Sequence, residues 1–270
     1  MGLLKHGLQK TVGLVLDKNF REFVKLYVKY GGRPRKTLCT NVHFKSFIIG
    51  VPDAPSFIWQ YKELFVDETY RFTTVSTSPI IYDCGANIGM SVLYFKYLFP
   101  HAVIKAFEAD RQIYSLLESN VKRNRFSNDI TLFNQAVWIH DEGVDFVGDG
   151  ADGGAIALAG GAPSEDKTPS IRLRDLLARE ARVDMLKLDI EGAEVDVMRD
   201  SESCLDRVEN LFIEYHGWKS APQQLSELLA ILERQGFRYD IQSITRLIRP
   251  FLVASREKAT DLQLNIYCHR

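Results

Sequence analysis

The sequence predicts an α/β fold built on a mostly parallel, doubly wound sheet, with a helical and β-stranded N-terminal cap and an antiparallel C-terminal edge. Three stretches carry that prediction. Residues 79–110 read as a short apolar strand, a glycine turn, a helix and a second strand, which is one βαβ unit. Residues 183–188 read as another core strand, followed by Asp189-Ile190-Glu191-Gly192-Ala193-Glu194 and a helix. Residues 211–215 give the next strand, which runs straight into His216-Gly217.

Taken from the N-terminus, residues 1–78 read as a cap on the main unit, because no flexible linker separates them from residues 79–270. The first 36 residues are strongly basic, with only Asp17 and Glu22 against nine lysines and arginines. Leu16, Phe20, Phe23, Val24 and Tyr27 recur there at helical spacing. Two readings stand: a helix packed on the core with a solvated basic face, and a peripheral contact with a membrane surface or acidic protein. Gly31-Gly32-Arg33-Pro34 ends it. Residues 37–49 alternate in part like a strand, and residues 56–65 suit a short helix carrying Trp59 and Phe65.

After Glu108 the alternation continues. Residues 111–123 are helical, with Ile113, Leu116, Leu117 and Val121 on one face. Residues 130–137 read as a third strand. Residues 141–161 are glycine-rich, which suits a flap over the sheet edge or a plain surface insertion. A short strand at 170–173 and a helix at 175–181 precede the 183–188 strand. A helix over 225–235 is closed by Gly236, and strands at 237–241 and 262–268 form an antiparallel pair closing the sheet.

Composition narrows the class. The chain has 270 residues, 46% of them hydrophobic, and a formal net charge of -1. That is enough to bury one sizeable core, and near-neutrality argues against a general nucleic-acid binder. Cys39, Cys84, Cys204 and Cys268 are scattered, so neither a zinc site nor a disulfide framework is expected. Reduced thiols and the lack of a long apolar run point to a cytoplasmic protein, with membrane association through the basic helix left open. Oligomeric state is open as well.

The chemistry lies in the turns. In Asp83-Cys84-Gly85-Ala86-Asn87-Ile88-Gly89 the glycines are four apart. Glycine permits positive φ and close approach, and the next helix aims its N-terminus at whatever fills the turn. A dinucleotide fingerprint needs a further glycine where Asn87 stands, and Asp83 would repel a pyrophosphate. The turn looks like the first motif of class I S-adenosylmethionine-dependent methyltransferases. On that reading Gly85, Asn87 and Gly89 wrap the methionine end of the cofactor and Asp83 reads its ammonium group. Glu108, at the next strand tip, holds the ribose diol. Ala136, at the end of the third strand, borders the adenine.

A second cluster sits further on. Lys187 and Asp189 share one face of a strand that should be apolar, which is costly unless they are paired. Glu214 and His216 share a face of the adjacent strand. Ligands of such sheets gather outside the carboxyl ends of the strands, so Asp189, Glu191, Glu214 and His216 are expected to converge there.

The sequence then resembles the FkbM-type methyltransferases, which methylate hydroxyl groups of sugars, surface polysaccharides and glycosylated natural products. The matching stretches are IYDCGANIGMSVLYF (81–95), AFEAD (106–110), NQAV (134–137), LKLDIEGAE (186–194) and IEYHG (213–217). The resemblance spans residues 65–217 and implies a Rossmann-like class I fold with S-adenosylmethionine as donor. One departure stands out: Leu173-Arg174-Asp175 replaces the family's usual Leu-Asp-Asp, implying an altered acceptor contact.

The expected mechanism is in-line methyl transfer to an alcohol oxygen of a small-molecule or glycan acceptor. His216 is the candidate base, oriented by Glu214 or Asp189. A metal-assisted version through Asp189, Glu191 and Glu214 is the weaker reading, so no metal is expected. Two other classes compete: a nicotinamide oxidoreductase, disfavoured by the missing glycine, and a non-catalytic binding protein on the same fold.

Overall fold

The computed structural model describes residues 17–126, 129–148, 154–156, 167–244 and 260–270. Helix α1 (Lys18–Tyr30) begins at Asp17, whose carboxylate accepts the Phe20 N–H at 2.8 Å. It buries Leu26 and Tyr30, turns Lys18, Arg21, Lys25 and Lys29 outward, and sets Phe23 against Trp59 of α2 (Ala54–Tyr61). The helical pattern before residue 17 lies outside the described residues.

The strand-like run from residue 37 is a hairpin, β1 (Cys39–Phe44) and β2 (Phe47–Val51). Its turn is made by Lys45 at φ 49°. Helix α2 then widens into a π-helical turn, Lys62–Val66, closed by the Asp67 N–H donating to the Lys62 carbonyl at 2.9 Å. Phe44, Phe57, Tyr61 and Phe65 pack ring to ring. Phe65 continues the stack onto Tyr94 of α3 (Met90–Leu98), with centroids 5.2 Å apart. Aromatic pairs of this kind add about 0.5–1.5 kcal/mol each beyond burial. They fix the π-helical turn against the main unit.

The central sheet has seven strands, numbered β3 (Ile80–Cys84), β4 (Val103–Phe107), β5 (Ile130–Phe133), β10 (Val183–Leu188), β11 (Val208–Trp218), β12 (Arg238–Ser243) and β13 (Thr260–His269). They lie in the order β12-β13-β11-β10-β3-β4-β5. Pairings from β11 through β5 are parallel, and β13 runs antiparallel to both its neighbours. Two cores form, one on each face. Ile81, Ile104, Ala106, Met185 and Phe212 face α3, α4 (Arg111–Arg123) and the N-terminal elements. Tyr82, Phe107, Leu186, Leu188 and Ile213 face α5 (Leu173–Leu177), α6 (Glu194–Ser201) and α7 (Leu225–Arg234). Strand alternation alone assigns those two sets.

The structure corrects three boundaries. The run over 130–137 is two strands: β5 stays in the sheet, while β6 (Ala136–Trp138) leaves it to pair with β9 (Ser170–Arg172). Asn134 marks the break, its amide donating to the Glu108 carbonyl at 2.9 Å. The helix expected over 175–181 is α5, which starts earlier and stops at Leu177. Of the glycine-rich stretch, β7 (Phe146–Gly148) and β8 (Gly154–Ile156) pair as a hairpin, and much of the rest lies outside the described residues. All four cysteines are buried free thiols. Among the described residues no helix is long and apolar enough to cross a membrane.

Candidate active site

A cleft of about 320 Å³ opens at the carboxyl ends of β3, β4, β10 and β11. Its floor is the turn after β3, where Gly85 takes φ 83° and its N–H, like that of Ala86, donates to the Phe107 carbonyl. A Cβ on Gly85 would stand 1.8 Å from the Asp189 carbonyl oxygen. The first glycine is therefore required by the turn after β10, which the Asp189 N–H fastens to the Cys84 carbonyl at 3.1 Å.

Glu108 closes one end of the cleft. Its Oε2 accepts the Asn87 N–H at 2.9 Å and its Oε1 accepts the Asp110 N–H at 2.8 Å. Each oxygen keeps a further lone pair for a ligand hydroxyl. Burial pushes its carboxyl up to about 7, against the lowering effect of the Asp110 and Asn87 N–H groups. Phe107, Ile113, Ala136 and Val137 supply an apolar wall beside it.

Two expected contacts lie behind the wall. Gly89 does not line the cleft; it starts α3 at φ 92°, and a Cβ there would meet Leu117 at 2.8 Å. Asp83 is wholly buried and also absent from the lining, behind Ser91 and Lys187, which do line it. It accepts the Ser91 hydroxyl at 2.5 Å and faces Lys187, 3.4 Å away. Burial holds its carboxyl above the usual range, opposed by the Lys187 ammonium.

Lys187 is likewise buried, between Asp83 and Asp189, and donates to the Gly85 carbonyl at 2.8 Å. Burial would lower its pKa, but Asp189 and Asp83 raise it above the usual lysine range. Alternation does put Asp189 on the same side, 3.2 Å from the ammonium. Burial raises the Asp189 carboxyl, opposed by Lys187.

His216 differs most from expectation. It lies within β11 rather than beyond it, because β13 pairs alongside and sets Gln263 opposite it. Its Nδ1 is 3.1 Å from Glu194, and its Nε2 is 3.5 Å from both Glu191 and Glu214. It is 6% exposed and does not line the cleft. Burial would lower its pKa, but hydrogen bonds with Glu194 and Glu214 and the charge of Glu191 push it up to about 12. An imidazole so surrounded is held toward its cationic form, which weighs against the expectation of a free base. Its charge in turn lowers the Glu214 carboxyl against desolvation.

Asp189, Glu214 and His216 each offer a ligand atom within 4.8 Å of the others. In this structure Asp189 also pairs with Lys187, and Glu214 with Gln263 and His216, so the three form an ion-pair network. Glu191, at φ 56° in the turn before α6, does line the cleft, and burial pushes it up to about 8 against the opposing charge of His216.

Sequence reasoning missed the contribution of the cap and of the last strand. Gln60, Glu63, Leu64 and Tyr70 line the cleft from the N-terminal side and Gln263 from β13. Phe57, Ile58, Tyr61, Leu64 and Phe65 are buried, and the one available signal was an acid, Glu63, embedded in that apolar run.

Residues 83–239 match the family described as the methyltransferase FkbM domain. The chain is 27% identical over 218 residues to "Methyltransferase 1" of Beauveria bassiana, covering 67% of this chain and 81% of that protein. It is 27% identical over 214 residues to "31-O-demethyl-FK506 methyltransferase FkbM" of Streptomyces tacrolimicus, covering 66% and 80%. Among solved structures, methyltransferase FkbM from Methylobacillus flagellatus KT superposes with a TM-score of 0.51 at 18% identity. That match covers 77% of this chain and 48% of the other, and it is a likeness of fold.

Proposed function

The chain belongs to the methyltransferase FkbM family, and from that premise we propose that it moves a methyl group from S-adenosylmethionine to a hydroxyl of a polar acceptor. The acceptor class is a sugar, a surface polysaccharide or a glycosylated natural product. One observation carries the choice of donor. Among the described residues the cleft is lined by six carboxyl side chains, Glu63, Glu108, Asp110, Asp189, Glu191 and Glu214, and by the ammonium of Lys187; even with Glu63, Glu108 and Glu191 partly protonated near neutrality, the acidic groups predominate. Such a wall repels a pyrophosphate and favours a ligand that is cationic at sulfur and nitrogen and carries a ribose diol. A nicotinamide dinucleotide is disfavoured on the same ground. Transfer to oxygen is supported by a relative whose name itself specifies an O-demethyl substrate.

S-adenosylmethionine, when bound, supplies a methyl group already activated on a positively charged sulfur. The chain's own residues then have three tasks. Glu108 would hold the ribose, with Phe107, Ile113, Ala136 and Val137 against the adenine. The Gly85-Ala86-Asn87 backbone would take the methionine end. Asp189, Glu191 and Glu214 would face the cationic centre and orient the acceptor hydroxyl. In this reading His216 is a positioning group: its imidazolium holds Glu191, Glu194 and Glu214 in place and leaves proton removal to a carboxylate.

The test is direct. Calorimetry of the purified chain should give saturable binding of S-adenosylmethionine or S-adenosylhomocysteine and none of NAD. Incubation with radiolabelled donor and a panel of methyl glycosides and polyols should yield a methyl ether, identified by mass spectrometry. Binding of NAD in preference to the sulfonium donor, or label appearing only on nitrogen or carbon, would overturn the reading.

A further inference from the structure

We propose that Glu63, supplied by the N-terminal cap, receives the proton of the acceptor hydroxyl during methyl transfer. The inference rests on the methyl-transfer reading above and adds to it the residue that acts as base. Glu63 comes from the π-helical turn Lys62–Val66 and lines the cleft on the side facing the strand ends. Tyr61 and Phe65, packed on Phe44, fix that turn on either side. Single π turns of this kind are frequent at functional sites, because the extra residue re-aims a side chain that a regular helix would turn elsewhere.

The other cleft carboxylates are occupied. Asp189 is ion-paired with Lys187, Glu214 accepts from Gln263 at 2.5 Å, and Glu191 faces the His216 ring. Glu108 accepts two backbone N–H groups, and Asp110 caps α4. Glu63 alone among them has a side chain with no hydrogen bond or ion pair among the described residues. Its lone pairs are left for a donor that enters with the ligand, and a hydroxyl is such a donor.

The electrostatic surroundings agree. Burial pushes the Glu63 carboxyl up to about 7, helped by Glu214 of β11, Asp189 of β10 and Asp67 of its own segment, and opposed by Lys187 of β10. The phenols of Tyr70 and of Tyr267 in β13 also stand within electrostatic reach and stay neutral, burial raising both. A base with that range is largely ionised at pH 7.5 and still accepts a proton readily.

The step balances. The acceptor O–H bond breaks and its proton passes to the Glu63 carboxylate. The oxygen's electron pair forms the new C–O bond, and the pair of the broken S–CH₃ bond remains on sulfur. The carboxyl then returns its proton to solvent.

The experiment uses the full chain and Glu63→Gln. Calorimetry with S-adenosylhomocysteine should give the variant an affinity within threefold of wild type, which also reports folding. With the best methyl glycoside or polyol from the panel, kcat should fall about 10²–10⁴-fold. The wild-type kcat should rise with pH through an apparent value at or below about 7, and the variant should lose that limb. A variant with kcat within threefold of wild type and only a raised KM overturns the assignment. Carbon NMR of carboxyl-labelled glutamate, taken as a wild-type minus variant difference, reads the ligand-free protein independently of any acceptor. A Glu63 resonance titrating near 7 supports the proposal, and one titrating below about 5 overturns it. Should the wild type bind no sulfonium donor, the methyl-transfer reading fails while the carboxyl titration is still measured.

Discussion

Asp83 and Lys187 face each other in register on adjacent parallel strands, wholly buried, with Oδ1 and Nζ 3.4 Å apart. Lys187 also reaches Asp189, so one ammonium serves two carboxylates from two strand ends. Removing one partner of such a buried group leaves an uncompensated charge, at a cost of about 3–5 kcal/mol. Lys187→Met should therefore destabilise the fold by that amount in urea denaturation. Adding Asp83→Asn should restore part of it. A double variant no more stable than Lys187→Met would show that the pair is not coupled.

Glu108 makes a separate prediction for the ligand. Glu108→Ala removes a carboxylate that is positioned by two backbone N–H groups and still has lone pairs facing the cleft. The lost charge-assisted hydrogen bonds to a ribose diol should amount to about 1.5–3 kcal/mol, at least a tenfold weaker affinity for S-adenosylhomocysteine. Unchanged affinity by calorimetry would remove Glu108 from the site.

His216 should remain cationic well above neutrality. Nitrogen NMR of the ring should show both nitrogens protonated at pH 8, since the folded-state pKa is pushed up to about 12. The sign for stability follows from linkage. A pKa raised in the folded state gives stability that is complete below the unfolded value of about 6.5 and is lost as pH rises through the folded value. The wild type should thus lose stability between about pH 6.5 and 12 relative to His216→Gln. A ring that titrates near 6.5 would return His216 to the role of base.

Asn120 joins the cap to the cleft floor. Its side-chain oxygen accepts the Gly50 N–H at 2.7 Å, and its amide donates to the carbonyls of Gly50 and Ile88 at 3.0 and 2.9 Å. All of this is buried. Asn120→Ala would strand those groups and should cost about 2–4 kcal/mol. Because Ile88 belongs to the turn after β3, ligand affinity should fall as well. A variant as stable as wild type in thermal unfolding would refute the linkage.

The sequence by itself determined the sheet and most of its helices. Residues 111–123 and 183–188 carry strong local signals, an apolar helical stripe in the first and, in the second, a short strand whose Val183, Met185, Leu186 and Leu188 outweigh Asp184 and Lys187. Strand alternation likewise fixed that Lys187 and Asp189 share a face, as do Glu214 and His216. Three matters were decided only by the tertiary structure. Whether Asp83 and Gly89 line the cleft depends on tertiary packing, which sets Asp83 against Lys187 and Gly89 close to Leu117, each brought in from a distant segment. The charge of His216 depends on carboxylates from α6 and its preceding turn, on Glu214 beside it, and on the cover of β13, none of which spacing reveals. Glu63 reaches the cleft because a π turn shifts the helical phase, and because aromatic packing on α3 brings the cap to the sheet edge. Local pattern specifies an element and its faces. Burial, ion pairing and pKa are set by neighbours far apart in the chain, and only folding brings them together.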